Sequence, residues 1–476
     1  MQHDIILSTI NAKWIHPSLA LRLLKANLGQ LEDRCGIIEF ALRQPLHEKL
    51  GALPAERPRV MGFSVSIWNH TATLELLEAL ETKWKRPVIV LGGPELSRLP
   101  PDAAIFRYAD FVVRGDGEHA FREICEHVLC GRDLLFDSSI IHHVDINTIK
   151  TAYYLYTDED LRTKLTYVES GRGCPFNCEF CLSSVKTGTS DNKVAYFPLT
   201  QFLHEMDNLI QRGAKTFKFL DRTFNLDIPR AVQILEFFLN KIDERRAISP
   251  VPFVVHFEMV PSRFPNDLLE ILGRFPPGSL RLEIGIQTLD AEVSARIGRP
   301  SRPDNELETL RLLREKTNAI VHADLIAGLP GEGFASFAAG FDRLWAALSS
   351  PENFTQTPRA AGQSAGQPCT EIQLGILKLL PGAPIARHSA AFGMRYNSLP
   401  PYEVIETAAL SAHELDRIKN FARFWELIVN RGLMKFDNAP VFAEFMAVSD
   451  SLLAHFGRNW GIDKNELLQK LLSKDM

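Results

Sequence analysis

The chain has 476 residues, 45% hydrophobic and 23% charged, the make-up of a folded globular protein, which excludes disorder as its main state. At roughly 100–200 residues per domain, the length suggests two to four domains. Lys and Arg number 53 against 58 Asp and Glu, a net charge of −5, and that balance argues against a protein built mainly to hold nucleic acid, which needs excess basic charge to displace counterions.

The first third alternates short apolar runs with helical periodicity. Strands are expected at 4–10, 36–41, 59–67, 87–91 and 109–113, with helices after Pro17, over 71–85 and over 118–129. Strands this apolar, with helices between them, belong to a parallel sheet covered on both faces. The expectation is a doubly wound domain over residues 1–130. A weakly patterned linker at 131–164 follows, with a strand-like stretch at 138–143.

The alternation then resumes with a longer beat over 165–390. Strands are expected at 165–170, 215–220, 252–258, 281–287, 319–326 and 371–377, with helices at 199–212, 228–245, 264–274, 303–316 and 334–349. Repeated strand–helix steps fit an α/β barrel or partial barrel, although an open sheet gives the same periodicity. Pro351 to Pro368, rich in Gly, Pro, Ala, Gln, Ser and Thr, reads as a long loop. From about 400 onward the pattern is helical, so 391–476 is expected to be a helical extension.

No apolar run approaches the roughly 18–20 residues that span a bilayer. Met1-Gln2-His3-Asp4 lacks the basic start of a secretory signal. A cytoplasmic protein with no membrane partner is the expectation.

Of the seven cysteines, three crowd into Gly171-Arg-Gly-Cys174-Pro-Phe-Asn-Cys178-Glu-Phe-Cys181. Thiolates suit iron–sulfur clusters, zinc and copper(I). Three of them can hold three corners of a four-iron cube and leave the fourth iron for another ligand. Zinc competes with this reading, as do three unligated thiols. Zinc wants four protein ligands, and no His or fourth Cys stands at short spacing.

The spacing, with Phe180 before the last cysteine, resembles the signature of the radical S-adenosylmethionine superfamily. The resemblance implies a 4Fe–4S cluster on Cys174, Cys178 and Cys181, with S-adenosylmethionine chelated to the open iron. It places Phe180 near the adenine. Further polar residues fall at the carboxyl ends of the expected barrel strands, where α/β barrels put their chemistry. Asp221 and Arg222 stand where the family often has Gly-Gly-Glu; that Gly-Gly is missing here. Asp221 is expected on the ammonium of S-adenosylmethionine and Arg222 on a carboxylate. Glu283 and Gln287 share one face of the strand expected at 281–287; Glu258 and Gln287 are candidates for ribose or carboxylate contacts, and Gly328 for close approach to the adenine.

The N-terminal loops read Ser64-Val-Ser66, Gly92-Gly93-Pro94 and Arg114-Gly-Asp-Gly-Glu118, with no dinucleotide or P-loop fingerprint. A domain of this kind directly before the cysteine motif resembles the cobalamin-binding domain of class B radical S-adenosylmethionine enzymes. Ser64, Ser66, Gly92, Gly93 and Glu118 are then cobalamin contacts. Many such domains supply a His to cobalt from Asp-x-His-x-x-Gly. Here the matching loop, Asn11 to Ser18, has Trp14 and Leu19 in place of the Asp and Gly around His16, so cobalamin without a protein imidazole is expected. The tail with Arg423-Phe-Trp425-Glu426 resembles the helical extension of a subgroup of these proteins.

The implied activity is methyl transfer to an unactivated centre of a small molecule through a 5′-deoxyadenosyl radical, with electrons from a flavodoxin or ferredoxin and no nucleic acid involved. Cyclisation or rearrangement with the same cofactors is the alternative, and a non-catalytic redox or sensor protein the rival from another class. No side chain is assigned a catalytic role.

Overall fold

The computed structural model describes residues 3–184, 194–246, 253–299, 301–349, 370–433 and 441–472. The expected loop Pro351–Pro368 lies outside the described residues.

The N-terminal part runs β1 (Ile5–Asn11), α1 (Leu19–Ala26), β2 (Cys35–Ala41), α2 (Leu46–Ala52), β3 (Val60–Ser64), α3 (His70–Lys83), β4 (Val88–Gly92), β5 (Phe111–Val112), a short β6 (Arg114–Gly115) and α4 (Glu118–Cys130). Five strands form a parallel sheet in the order β2-β1-β3-β4-β5. This is the flavodoxin-like doubly wound order. The direction of winding reverses between β1 and β3, and right-handed crossovers then put helices on both faces. The sheet separates two apolar clusters. Ile6, Met61, Phe63 and Leu91 pack on one side, Ile5, Leu7, Val60 and Phe121 on the other.

The linker carries β7 (Ile141–His142), which pairs in parallel with β6, and α5 (Asp158–Thr163), closed at its start by a Thr157–Asp160 capping box. The stretch expected at 138–143 is thus a two-residue strand within it.

The central part runs β8 (Thr166–Val168), β9 (Gly171–Arg172), β10 (Ala195–Tyr196), α6 (Leu199–Gln211), β11 (Thr216–Phe219), α7 (Ile228–Arg246), β12 (Val254–Met259), α8 (Asn266–Gly273), β13 (Leu280–Gln287), α9 (Ala291–Arg296), α10 (Pro303–Lys316), β14 (Ile320–Ala327), α11 (Phe334–Leu348) and β15 (Thr370–Ile376). Six strands pair in parallel in the order β15-β14-β13-β12-β11-β8. The order never reverses. Right-handed crossovers that always step the same way place every helix on one face, so the other face becomes the inside of a partial (βα)6 barrel.

Side-chain burial follows that geometry. Along β13 Leu280, Leu282, Ile284 and Ile286 are buried toward the helices, while Arg281, Glu283, Gly285 and Gln287 alternate onto the concave face. Phe217, Phe219, Phe253 and Phe257 fill the helix side, with Phe238 of α7 packed edge-on against Phe217, Phe219 and Phe253. An incomplete barrel leaves an edge at β15. Asn430 covers it, donating from Nδ2 to the Ile372 carbonyl (3.0 Å) and accepting the Ile372 N–H at Oδ1 (3.3 Å).

The C-terminal part begins with β16 (Arg395–Tyr396) and β17 (Val404–Glu406), an antiparallel pair, before α12 (Ala412–Trp425), α13 (Phe442–Phe456) and α14 (Lys464–Leu472). The expectation of helix from about 400 therefore fails for the first dozen residues. Pro400 and Pro401 interrupt any helix there because neither offers an N–H. Phe421, Trp425, Phe442 and Phe445 pack together against Phe341 of α11. Among the described residues no helix is long and apolar enough to cross a membrane.

Candidate cofactor and substrate site

The two sheets direct their carboxyl ends at one cavity of about 760 Å³. Its floor is apolar, built from Leu7, Gly62, Phe63, Val90 and Phe121 between sheet and helices. The rim on that side is glycine-rich, with Gly92, Gly93, Gly115 and Gly117. Gly93 has φ +109°, and a Cβ there would meet the Val65 carbonyl at 2.4 Å, so neither the conformation nor the space admits a side chain. The opposite wall comes from the barrel, with Glu169, Gly171 to Cys174, Leu182 and Arg222.

Of the residues singled out in the sequence, Ser64, Gly92, Gly93, Glu118, Cys174 and Arg222 reach this cavity. Ser66 does not: it is buried, and its N–H donates to Asn69 Oδ1 (2.7 Å). Asp221 is buried beside the wall. Ser170 donates its N–H to Asp221 Oδ2 (2.8 Å) and its hydroxyl to Oδ1 (2.6 Å). Burial pushes the Asp221 carboxyl up to about 6 against those two hydrogen bonds. His16 accepts or donates at Nδ1 with the Tyr167 hydroxyl (2.7 Å), at the first barrel strand. Gly328 has φ +86°, and the space a Cβ would need is filled by Val404 and Leu415 of the C-terminal part.

The cysteine loop is held from several sides. Gly298 abuts it so closely that a Cβ would meet the Asn177 carbonyl at 2.5 Å. The Glu179 N–H donates to the Ile297 carbonyl (2.9 Å), and the Glu179 carboxylate receives Arg387 and His388. Cys178 is buried; Cys174 and Cys181 are half-buried, and Phe180 packs against the barrel core. Burial raises the Cys178 thiol pKa, while Arg299, whose Nη1 lies 3.7 Å from Cys178 Sγ, opposes the rise. Among the described residues no three His, Cys, Asp or Glu side chains gather about a single ion. A cube presents a separate iron to each thiolate, so its ligands need not converge on one point.

Sequence reasoning passed over Arg172. Its Nε and Nη2 donate to Glu169 (3.1 and 2.8 Å), and Nη2 lies 2.7 Å from Glu118 Oε1 across the cavity. Burial raises the Glu169 pKa and Arg172 opposes it. One guanidinium thus ties the loop before the cysteines to the first turn of α4.

The concave face of the barrel was also missed, apart from Glu258, Glu283 and Gln287. Glu283 sits 3.4 Å from Lys218 Nζ and 3.2 Å from His256 Nε2. The His256 contact is close enough for charge interaction but off the line of a hydrogen bond, and burial keeps that imidazole pKa low. His322 Nδ1 lies 3.1 Å from Glu371, which also receives Arg281 (2.8 Å). Burial raises Glu258 to about 7 and Asp324 to about 7. Gln287 closes the row at a β-bulge, with φ +70°, its carboxamide folded back over Gly285. The signal was present in the sequence. His256-x-Glu258, Arg281-x-Glu283 and His322-x-Asp324 put charges at alternate positions of strands otherwise apolar enough to be fully buried.

The profile of the B12 binding domain matches residues 6–125, and that of the Radical SAM superfamily matches residues 168–343. The chain carries a B12-binding domain followed by a radical SAM domain. Its two domains call for a 4Fe–4S cluster, S-adenosylmethionine and cobalamin. The 2-(S-pantetheinyl)-carbapenam-3-carboxylate methyltransferase of Streptantibioticus cattleyicolor is 23% identical over 318 residues, 60% of this chain and 45% of that one. The cobalamin-dependent radical SAM methyltransferase TokK of Streptomyces tokunonensis is 22% identical over 317 residues, again 60% and 45%. These alignments span less than half the length of the relatives. Among solved structures, the cobalamin-dependent S-adenosylmethionine radical enzyme OxsB superposes with TM-score 0.60 over 98% of this chain and 74% of its own, at 14% identity. The radical S-adenosylmethionine methyltransferase TsrM from Kitasatospora setae gives 0.56 over 84% and 79%, at 17% identity. At those identities the superpositions speak for the fold of this radical SAM chain.

The residues present fit the corrinoid and the cluster. Cobalamin needs a cleft with bare backbone at its rim and an apolar floor, which the glycines and Leu7, Phe63 and Phe121 provide. A cluster needs unpaired thiols on a loop held in place, which free Cys174, Cys178 and Cys181 on the clamped loop 174–181 provide.

Proposed function

We propose that this chain is a cobalamin-dependent radical SAM enzyme that transfers a methyl group to an unactivated centre of a small molecule. The observation that carries the reading is the shared cavity, where the glycine rim of the B12-binding domain faces Cys174 and Arg222 of the barrel. On this reading residues 1–130 hold the corrinoid, 165–390 hold the cluster and S-adenosylmethionine, 131–164 join them and 391–476 cap the barrel.

When bound, the cluster with S-adenosylmethionine supplies a carbon-centred radical, and the corrinoid supplies a transferable methyl group. The chain's own part is to hold and shield. Cys174, Cys178 and Cys181 take the iron corners, with Phe180 beside the adenine. Arg222, exposed at the cavity wall, pairs with a carboxylate, and Asp221 fixes the neighbouring turn through Ser170. Ser64, Gly92 and Gly93 receive the corrinoid, and Glu118 is held at its place by Arg172. The apolar floor keeps water from the buried part of the cleft. Glu258, Gln287 and their neighbours on the concave face line the space for substrate. Their charge suits a polar molecule, since an apolar one would strip water from Lys218, Glu258 and Asp324 without replacing it. A flavodoxin or ferredoxin is the expected reductant.

The test is anaerobic reconstitution followed by incubation with methyl-labelled S-adenosylmethionine and a reductant. Formation of 5′-deoxyadenosine and S-adenosylhomocysteine, with label on an added polar acceptor, is the expected result. Bound cobalamin and cluster with no 5′-deoxyadenosine under reduction would make the chain a carrier and sink the proposal.

A further inference from the structure

Arg299 stands just beyond the end of α9, in a loop that the cofactor reading does not use. Its Nη1 points at the buried Cys178, 3.7 Å from Sγ, and its Nη2 donates to the Gly285 carbonyl (2.5 Å) on the concave face. Among the described residues no carboxylate lies within ion-pair distance of this guanidinium, and its Nε is buried without a hydrogen-bond partner. Backbone geometry holds it there. Gly298, at φ +68°, lets the loop touch Asn177, and the Arg299 N–H donates to the Ser294 carbonyl (3.0 Å). The charge is also felt by the buried Glu306, beyond ion-pair distance, but the guanidinium's direct contacts are the Cys178 thiol and the Gly285 carbonyl.

We propose that Arg299 is a positioning residue that holds the Cys178 thiolate by a charge-assisted hydrogen bond and raises the reduction potential of the cluster this cysteine ligates. This deepens the cluster reading and rests on it. Hydrogen bonds to cluster sulfurs and nearby positive charge favour the reduced, more negative state, which is how proteins move such potentials. The Gly285 contact adds a second consequence: the cation that tunes the cluster is anchored to the strand that carries Glu283 and Gln287, so movement at the substrate face reaches the thiolate directly.

The experiment compares wild type, Arg299→Gln and Arg299→Lys after anaerobic reconstitution, first for iron and sulfide per chain, then for the midpoint potential by redox titration with electron paramagnetic resonance detection. In the Gln variant the reduced-to-oxidised ratio at a fixed potential should fall about tenfold, a shift of about 59 mV to more negative potential for a one-electron couple. The Lys variant, which keeps the charge but not the fork, should lie between. A loaded Gln variant with the wild-type midpoint overturns the proposal. If the Gln variant fails to hold iron and sulfide, recovery of both in the Lys variant supports the positioning role, and loss from both variants overturns it in favour of a purely architectural arginine. Wild-type protein without iron and sulfide would instead refute the cluster reading itself.

Discussion

Glu283 offers the most quantitative handle on the barrel interior. Its carboxylate faces His256 and Lys218, and these contacts hold it down from an ordinary 4.5 to about 2, with burial working against them. At about 1.4 kcal/mol for each tenfold change in protonation, that depression corresponds to about 3 kcal/mol in favour of the folded chain at neutral pH. A depressed carboxyl stabilises above its unfolded value and loses that contribution as pH falls through its folded value. Glu283→Gln keeps the shape, removes the charge and leaves Lys218 facing an amide. The variant should lose about 3 kcal/mol at pH 7, and the gap should narrow to about 2 kcal/mol by pH 3.5 as the carboxyl of the unfolded wild-type chain takes up a proton. Urea unfolding followed by circular dichroism at a series of pH values measures it. A gap that stays constant down to pH 3.5 would show that packing and not charge is lost. A gap under about 1 kcal/mol at pH 7 would put the pair in the class of screened surface contacts.

Replacing Cys174, Cys178 and Cys181 together by Ala should abolish iron and sulfide binding and the thiolate-to-iron absorption; stoichiometric zinc in the anaerobic wild-type protein would contradict that. Gly93→Ala forces a Cβ onto the Val65 carbonyl and costs about 1–2 kcal/mol in backbone strain alone, so cobalamin occupancy should drop while iron content holds. Arg172→Gln strands the buried Glu118 and Glu169 and should lower the thermal midpoint, in line with the roughly 3–5 kcal/mol seen when one partner of a buried pair is removed. An unchanged midpoint would show that water already screens the pair. His16→Ala should leave the cob(II)alamin resonance spectrum unchanged, since His16 is engaged with Tyr167; loss of a nitrogen splitting would place its imidazole on cobalt.

Much of this arrangement was legible because it is local. Strand and helix positions in both α/β parts follow from apolar periodicity and fall within a few residues of the structure, as at 281–287 against Leu280–Gln287. The cysteine loop is legible for the same reason, since all three thiols lie on one short loop. What periodicity does not carry is strand order. The unidirectional winding of the six barrel strands is a long-range fact, and it alone separates the barrel from an open sheet. The missed residues share that property. Arg172 matters through Glu118, 54 positions earlier, and His322 through Glu371, 49 positions later. Gly328 was expected beside a ligand because a glycine after a strand admits one. The structure gives that space to Val404 and Leu415, a contact no local pattern announces.

The cavity itself exists only because the two α/β parts hold a fixed relation, and the way they are joined bears on why. Apolar residues of α1, Leu19, Leu23 and Ala26, belong to the barrel's core cluster, so the B12-binding domain is docked by burial. Burial is indifferent to a small slide or rotation. Direction comes from charge. Arg22 on that same helix is buried between Glu39 of β2 (3.0 Å) and Asp160 of α5 (3.1 Å). Arg172 spans Glu169 and Glu118, and the Tyr402 hydroxyl donates to the buried Glu95 (2.7 Å) behind Gly93. Each of these polar links would be stranded by a displacement of a few ångströms, at a cost of several kcal/mol, whereas the apolar contacts would simply re-form. The apolar seam therefore supplies the association and the ionic links supply the register, and register is what brings the glycine rim to the cysteine loop.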